Sequence, residues 1–320
     1  MSGVYTEIAI DTGTKKGGMI FMIQVNNLYK SFDGFRALDG LSLNIGKGSV
    51  YGLIGPNGAG KTTIIKHLAG IYTQDSGTIK INGAPVFENN DIKKDMILIS
   101  DDLFFFSTYS IMDMAKFYAG IYPNWSWERF KSLKEIFKID LSRRVRRLSK
   151  GMQKQVAFWL SISTMPEIML LDEPVDGLDP VMRRNVWKLM LQDVAERGTT
   201  VLVSSHNLRE LEDVCDHVGI MHKGRVVLEK ALDDVKGNIH KVQVAFAGGM
   251  PEDLEKEIEI LHKERFGSVS MIIVKGKAET VLEKINQRKP LICDIIPLTL
   301  EEVFIYELGG LGYEFENILI

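Results

Sequence analysis

The stretch "YGLIGPNGAGKTTIIKHLAG", Tyr51 to Gly70, decides the fold. An apolar run leads into Gly55, and the spacing G-x-x-x-x-G-K-T is completed by Gly60, Lys61 and Thr62. The residues after it have helical character. Strand, glycine-rich turn and helix follow in the order that lets backbone N–H groups close round a phosphate chain. Gly55, Pro56, Asn57, Gly58, Ala59, Gly60, Lys61, Thr62 and Thr63 are therefore the expected phosphate-binding loop of a nucleoside triphosphate site. Lys61 is expected to reach the β- and γ-phosphates, and Thr62 to ligate Mg²⁺.

A second stretch, "EIMLLDEPVDGLDP" (Glu167 to Pro180), reads as a buried parallel strand ending in acids. Ligands bind at the carboxyl edge of such sheets. Asp172 there suits a metal contact, and Glu173 suits a general base that polarises an attacking water. A further buried strand, "TTVLVSSH", carries His206 past its end, placed to touch the γ-phosphate or that water. Phe32, in "YKSFDG", stands ahead of the phosphate loop, where its ring either stacks on adenine or packs into the core.

Composition sets wider limits. The chain has 320 residues, 45% of them hydrophobic, and a formal net charge of -3. That is enough for one large globular domain and a smaller one, and it gives no general case for nucleic-acid binding. Cys215 and Cys293 lie far apart, without metal-type spacing. The longest apolar candidate, about Val156 to Leu171, is broken by Pro166 and Glu167 and falls short of a membrane span. Residues 1–22 read as an extension or tag, without the apolar segment of a signal peptide.

The organisation follows from periodicity. Strands are expected in "MIQVNNLYKSF", "GLSLNIGKGSVYGLIGP", "SGTIKINGAP" and "MILIS". Residues of about 102–165 turn helical, with Pro123 and Asn124 separating two amphipathic segments. "RRLSKGMQKQ" (Arg146 to Gln155) then opens another helix, with Ser149 as a natural N-cap and free N–H groups suited to an anion. "PVMRRNVWKLMLQDVAERG" is an expected helix between Pro180 and Gly198, "NLRELEDVCD" another, and "HVGIMHKGRVVLEK" a hairpin turning at Lys223-Gly224. From about residue 237 the strands "HKVQVAFAG", "SVSMIIVKG" and "LICDIIPL" alternate with two expected helical segments, "PEDLEKEIEILHKERF" and "AETVLEKINQR".

Taken in order, these motifs resemble the ATP-binding subunit of an ABC transporter over residues 23–230. The resemblance implies an α/β fold: a P-loop NTPase core with a mostly parallel sheet, an antiparallel β subdomain and an inserted helical subdomain (about 102–165). The domains are then 23–236 for ATP binding and 237–320 for a small C-terminal α/β unit. It also implies an ATPase using ATP and Mg²⁺ that pairs with a second ATP-binding subunit and powers an integral-membrane permease. Such a chain is cytoplasmic, peripheral on the inner face of the cell membrane. The alternative is a soluble ABC-type ATPase not coupled to transport.

In that family Leu148, Ser149, Lys150, Gly151 and Met152 form the signature that caps ATP held by the opposite subunit. Asp179 serves communication across the dimer. Lys150 and Met152 depart from the usual glycine and glutamine, and Lys150 either adds charge near phosphate or points to solvent. Asp101 or Asp102 stands where a metal-sensing glutamine is usual. Phe104, Phe105 and Phe106 either pack under the helical subdomain or face a membrane partner. The tail "PLTLEEVFIYELGG" resembles the C-terminal end of exporter ATPases, which favours export.

Overall fold

The computed structural model describes residues 21–232, 239–251, 253–299, 301–303 and 306. Half of the tail segment likened to exporter ATPases, residues 300, 304, 305 and 307–310, falls outside them. Two long antiparallel strands open the fold, β1 (Phe21–Phe32) and β2 (Phe35–Gly46), followed by β3 (Val50–Ile54) and α1 (Lys61–Leu68). β1 starts at Phe21 and buries Met22, so the last two residues assigned to the extension belong to the folded part. Next come β4 (Ser76–Ile81), β5 (Ala84–Pro85), a single turn α2 (Asn90–Lys93) and β6 (Met96–Ile99). β2, β1, β4 and β5 form one antiparallel sheet.

The helical insertion holds α3 (Ile111–Ile121), α4 (Trp127–Phe137) and α5 (Lys150–Ser163). Ser110 closes a capping box with Asp113 at the start of α3, and Ser126 caps α4. Phe130, Phe137 and Trp159 stack at centroid distances of 4.9 and 5.5 Å, which locks α4 onto α5. Phe105 is buried beneath this insertion and Phe106 packs on Tyr109 and Phe117, whereas Phe104 is 75% exposed. Phe105 and Phe106 thus follow the packing expectation, and Phe104 does not.

The central sheet adds β7 (Ile168–Asp172), β8 (Thr200–Ser205), β9 (His217–His222) and β10 (Arg225–Ala231), with α6 (Pro180–Arg197) between β7 and β8. Its order is β10-β9-β3-β8-β7-β6, parallel except for the β9–β10 hairpin. β3, β7 and β8 are buried at every position, which explains the apolar runs that fill most of each.

Residues 207–216 depart from the expected helix. Only a 3₁₀ turn, Leu208–Glu210, forms there. Leu208, Leu211 and Cys215 are buried at helical spacing. Asp216 is nonetheless pinned to Val50 by two hydrogen bonds, one from the Val50 N–H to its carboxylate (2.8 Å) and one from its own N–H to the Val50 carbonyl (2.9 Å). That tie fixes the end of the segment, and the chain before it closes with three-residue bonds, from the N–H groups of Glu210, Leu211 and Val214 to the carbonyls of Asn207, Leu208 and Leu211.

The C-terminal unit is a third, antiparallel sheet. It contains β11 (Ile239–Ala245), β12 (Glu259–Phe266), β13 (Val269–Lys275) and β14 (Ile292–Ile296), in the order β12-β13-β11-β14. Helix Ala278–Asn286 covers a separate small core of Val242, Val244, Ile272 and Val274. The segment expected to be helical before residue 266 forms one helical turn, Leu254–Glu257, and then β12. Its helix-forming composition is overridden by pairing with β13.

Candidate functional site

Four neighbouring parallel strands, β6, β7, β8 and β3, deliver their carboxyl ends to one cleft. β3 runs into the phosphate loop, whose Ala59 N–H bonds the Pro56 carbonyl at 3.1 Å. Gly60 adopts φ 107°, and a Cβ there would stand 2.8 Å from the Ala37 carbonyl oxygen. Glycine is thus required by conformation and by space. α1 begins at this residue with no side-chain cap, so its first N–H groups are kept for a ligand.

Lys61 is 6% exposed, and its ammonium donates to the carbonyls of Gly55 (2.6 Å) and Pro56 (3.3 Å). It also pairs with Glu173 Oε1 at 3.3 Å. The other Glu173 oxygen, Oε2, lies 2.9 Å from His206 Nδ1 and accepts from the His206 backbone N–H at 3.4 Å. Glu173 has φ 46°, an uncommon left-handed conformation for a side-chain-bearing residue, worth roughly 1–3 kcal/mol of strain. Such strain persists where surrounding bonds enforce it. Here the Glu173 N–H donates to Ser204 Oγ (3.0 Å) and its carbonyl accepts from Lys154 (2.9 Å).

Asp172 is 2% exposed. It pairs in register with Ser204 across β7 and β8, and Ser204 Oγ donates to its Oδ1 at 2.7 Å. Asp101 lines the same cleft with Lys61, Thr62, Thr63 and Glu173, in a cavity of about 470 Å³. Asp102 is not among the residues lining it. Thr62, Asp172 and Asp101 are hard oxygen donors of the kind Mg²⁺ prefers, and the uncapped loop with its buried lysine suits polyphosphate. Sequence reasoning missed Asp176: one ligand atom from each of Glu173, Asp176 and His206 lies within 4.8 Å of the others. It also missed Ser204 and Lys154, whose partners are distant in sequence.

Phe32 lines the cleft and meets Tyr72 edge-on at 5.3 Å, so its ring is packed on one side and half-open on the other. Phe35, which sequence reasoning passed over, is 67% exposed beside Pro56 and Gly58. Arg36 there is held by Asp39, whose carboxyl the hydrogen-bonded Arg225 guanidinium lowers below its ordinary value, aided by Arg36.

The signature residues lie elsewhere. None of Leu148 to Met152 lines the cleft. Ser149 caps its own helix, accepting from the Met152 N–H at 3.3 Å, and Lys150 is exposed. A Cβ on Gly151 would stand 2.7 Å from the Gly177 carbonyl oxygen, so Gly151 permits a close approach within the chain itself. Asp179 caps α6, accepting from the N–H groups of Val181 and Met182, both at 3.0 Å.

A phosphate loop, an acidic pair and a histidine on adjacent strand ends, with a helical insertion beside them, define a P-loop ATPase of the ATP-binding cassette type. The chain belongs to the ABC transporter family as an ATP-binding subunit. The family model described as "ABC transporter" matches residues 38–176. The chain is 32% identical over 290 residues to the ABC transporter ATP-binding protein YtrB of Bacillus subtilis (strain 168), covering 90% of this chain and 99% of that one. It is 28% identical over 305 residues to the Nod factor export ATP-binding protein I of Paraburkholderia xenovorans (strain LB400), covering 90% and 97%. A solved ATP-binding subunit of an ABC transporter superposes with a TM-score of 0.63 at 27% identity, covering 67% of this chain and 92% of that one. No helix among the described residues is long and apolar enough to cross a membrane.

Proposed function

We propose that two ATP-binding subunits close face to face around two ATP molecules, and that hydrolysis powers a membrane permease engaged in export. The observation that carries the chemistry is the Lys61–Glu173–His206 chain at the strand ends. Lys61 and the uncapped start of α1 bind the β- and γ-phosphates. Glu173 takes a proton from water as its oxygen attacks the γ-phosphorus and the bond to the β-phosphate oxygen breaks. His206 holds the Glu173 carboxylate and faces the same water. Mg²⁺, when bound, neutralises charge on the phosphate oxygens, with Thr62, Asp172 and Asp101 as the residues that would hold it. Phe32 stacks on adenine.

The cleft holds no part of the signature, which supports donation of that helix start to the opposite subunit. Ser149 and the Gly151 N–H would serve the partner's γ-phosphate, and Asp179 the contact between subunits. Exposed Phe104, next to Asp101's loop, supports a permease contact at the helical insertion. Export is favoured by the name of the Nod factor relative, whose length matches this chain's. Such a subunit works at the inner face of the cell membrane.

The shared site is tested by complementation. One copy carries Lys61→Ala and the other Ser149→Arg. Each homodimer has two damaged sites, while the mixed dimer has one site carrying both defects and one carrying neither. Mixing should restore nucleotide trapping, measured with Glu173→Gln added to the Ser149→Arg copy. Mixed dimers that form yet trap no more nucleotide than the single mutants would overturn the shared site.

A further inference from the structure

Lys154 lies on the second turn of α5, in the helix that Ser149 begins. Its side chain is 9% exposed, so its ammonium must be paired. Two of its three donors are spent on groups from two other segments: Asp101 Oδ1 at 3.1 Å and the Glu173 carbonyl at 2.9 Å. Asp101 is 62% exposed on the cleft side of this pair. One buried cation therefore joins the signature helix, the carboxylate facing the phosphate cleft and the backbone of the residue proposed as base.

The second of those bonds falls where the chain most needs it. Glu173 sits at φ 46°, and its carbonyl points to Lys154 while its N–H points to Ser204. Loss of the Lys154 bond would let this turn relax and swing the carboxylate away from Lys61 and His206. The first bond acts on charge. While Asp101 is paired with Lys154, part of its negative charge is already neutralised, which weakens its hold on a divalent cation.

We propose that Lys154 is a positioning residue. It holds the Glu173 turn in its strained form, and it tempers the pull of Asp101 on the metal, so that metal entry at Asp101 is felt directly by the signature helix. The metal half rests on the proposed role of Asp101; the Glu173 half does not.

Mn²⁺ binding, followed by electron paramagnetic resonance with a non-hydrolysable ATP analogue, reads the metal half without turnover. Lys154→Met, which keeps the length of the side chain, should tighten Mn²⁺ about two- to fivefold. In an Asp101→Asn background the same change should leave Mn²⁺ affinity where Asp101→Asn alone puts it. Lys154→Met should also lower kcat about tenfold or more with the KM for ATP moved less than about threefold, the loss expected when a general base is misplaced. Lys154→Arg, which keeps charge and donors, should retain kcat within about threefold of the parent and leave Mn²⁺ affinity unmoved. It also keeps the test decisive if Lys154→Met does not fold: an Arg variant that folds but loses about tenfold or more in kcat would overturn the proposal. Parental kcat in Lys154→Met would overturn the Glu173 half. Unshifted or additive Mn²⁺ affinities would overturn the metal half. Should Asp101→Asn alone leave Mn²⁺ binding untouched, the role of Asp101 fails, and the kcat comparison still judges the Glu173 half.

Discussion

α1 and α5 both start just after a tight turn, and their starts are finished differently. α1 opens at left-handed Gly60 with no side-chain cap, and beside it Glu173 bonds both Lys61 and His206. α5 opens at Ser149, which caps its own Met152 N–H, and Ser149 and Lys150 are exposed. The first region is a set of charges poised on each other and open to a phosphate chain. The second is held at its first turn by local bonds and by the backbone approach of Gly151 to Gly177, and one turn further on by the Lys154–Asp101 pair. A charge network completed inside the chain should respond to mutation chiefly in chemistry. A helix start held by packing should respond chiefly in stability and in what it offers to another molecule.

The largest effect expected from this difference falls on the cleft. Glu173→Gln keeps shape and the contact with His206 but cannot take a proton. Steady-state ATP turnover should fall about 10²-fold or more, with nucleotide binding retained. A parental turnover rate would remove Glu173 from the role of base and erase the contrast in chemistry.

How legible the two regions were follows the same division. The cleft residues Lys61, Thr62, Asp172, Glu173 and His206 could be read because they stand at the end of a buried strand, just past it, or after the short loop that leaves it, so short local patterns carry their placement. Ser204 and Lys154 could not, since each gains its meaning from a partner about 19 to 53 positions away. The helix start at Ser149 was visible through capping chemistry, whereas α3 and α4 were read from apolar spacing and their caps, Ser110 and Ser126, were not. Residues 207–216 showed helical spacing of buried side chains, yet the backbone there closes mainly in three-residue bonds and forms only a 3₁₀ turn. β12 was hidden because its charged, helix-forming residues lie on the exposed edge of a sheet, where pairing with β13 decides the backbone. The close contact of Gly151 with Gly177 is also non-local, although the glycine itself stood out.

That contact gives the next effect in size. Gly151→Ala places a methyl carbon against the Gly177 carbonyl oxygen, at the 2.7 Å a rigid chain would impose. One segment must shift. The nucleotide-free protein should lose about 1–3 kcal/mol of stability, as overpacked sites do. Chemical denaturation without nucleotide measures this directly. Unchanged stability would show slack between α5 and the loop at Gly177, and the picture of a start held by packing would weaken.

The smallest effect concerns what the cleft residues do for each other before ATP arrives. Glu173 Oε1 is an anionic partner of Lys61 at 3.3 Å, the lysine expected to meet the γ-phosphate. ATP must displace that carboxylate to gain the lysine. The pair is largely shielded from solvent, at 6% and 15% exposure, but also open to competition from the two loop carbonyls that Lys61 already contacts. A value near the top of the range for modest ion pairs, about 0.5–1 kcal/mol, is therefore appropriate. Glu173→Gln removes the competing charge, so a non-hydrolysable ATP analogue should bind about two- to fivefold more tightly. The measurement belongs in a Ser149→Arg background, where the closure onto a second copy proposed above would be blocked and tighter binding could not come from the opposite helix start. The gain should shrink as salt is raised, because the lost repulsion is electrostatic. Equal affinity in both forms would mean that Lys61 is released from Glu173 without cost, and that the network in the cleft is set by its backbone carbonyls instead of by charge.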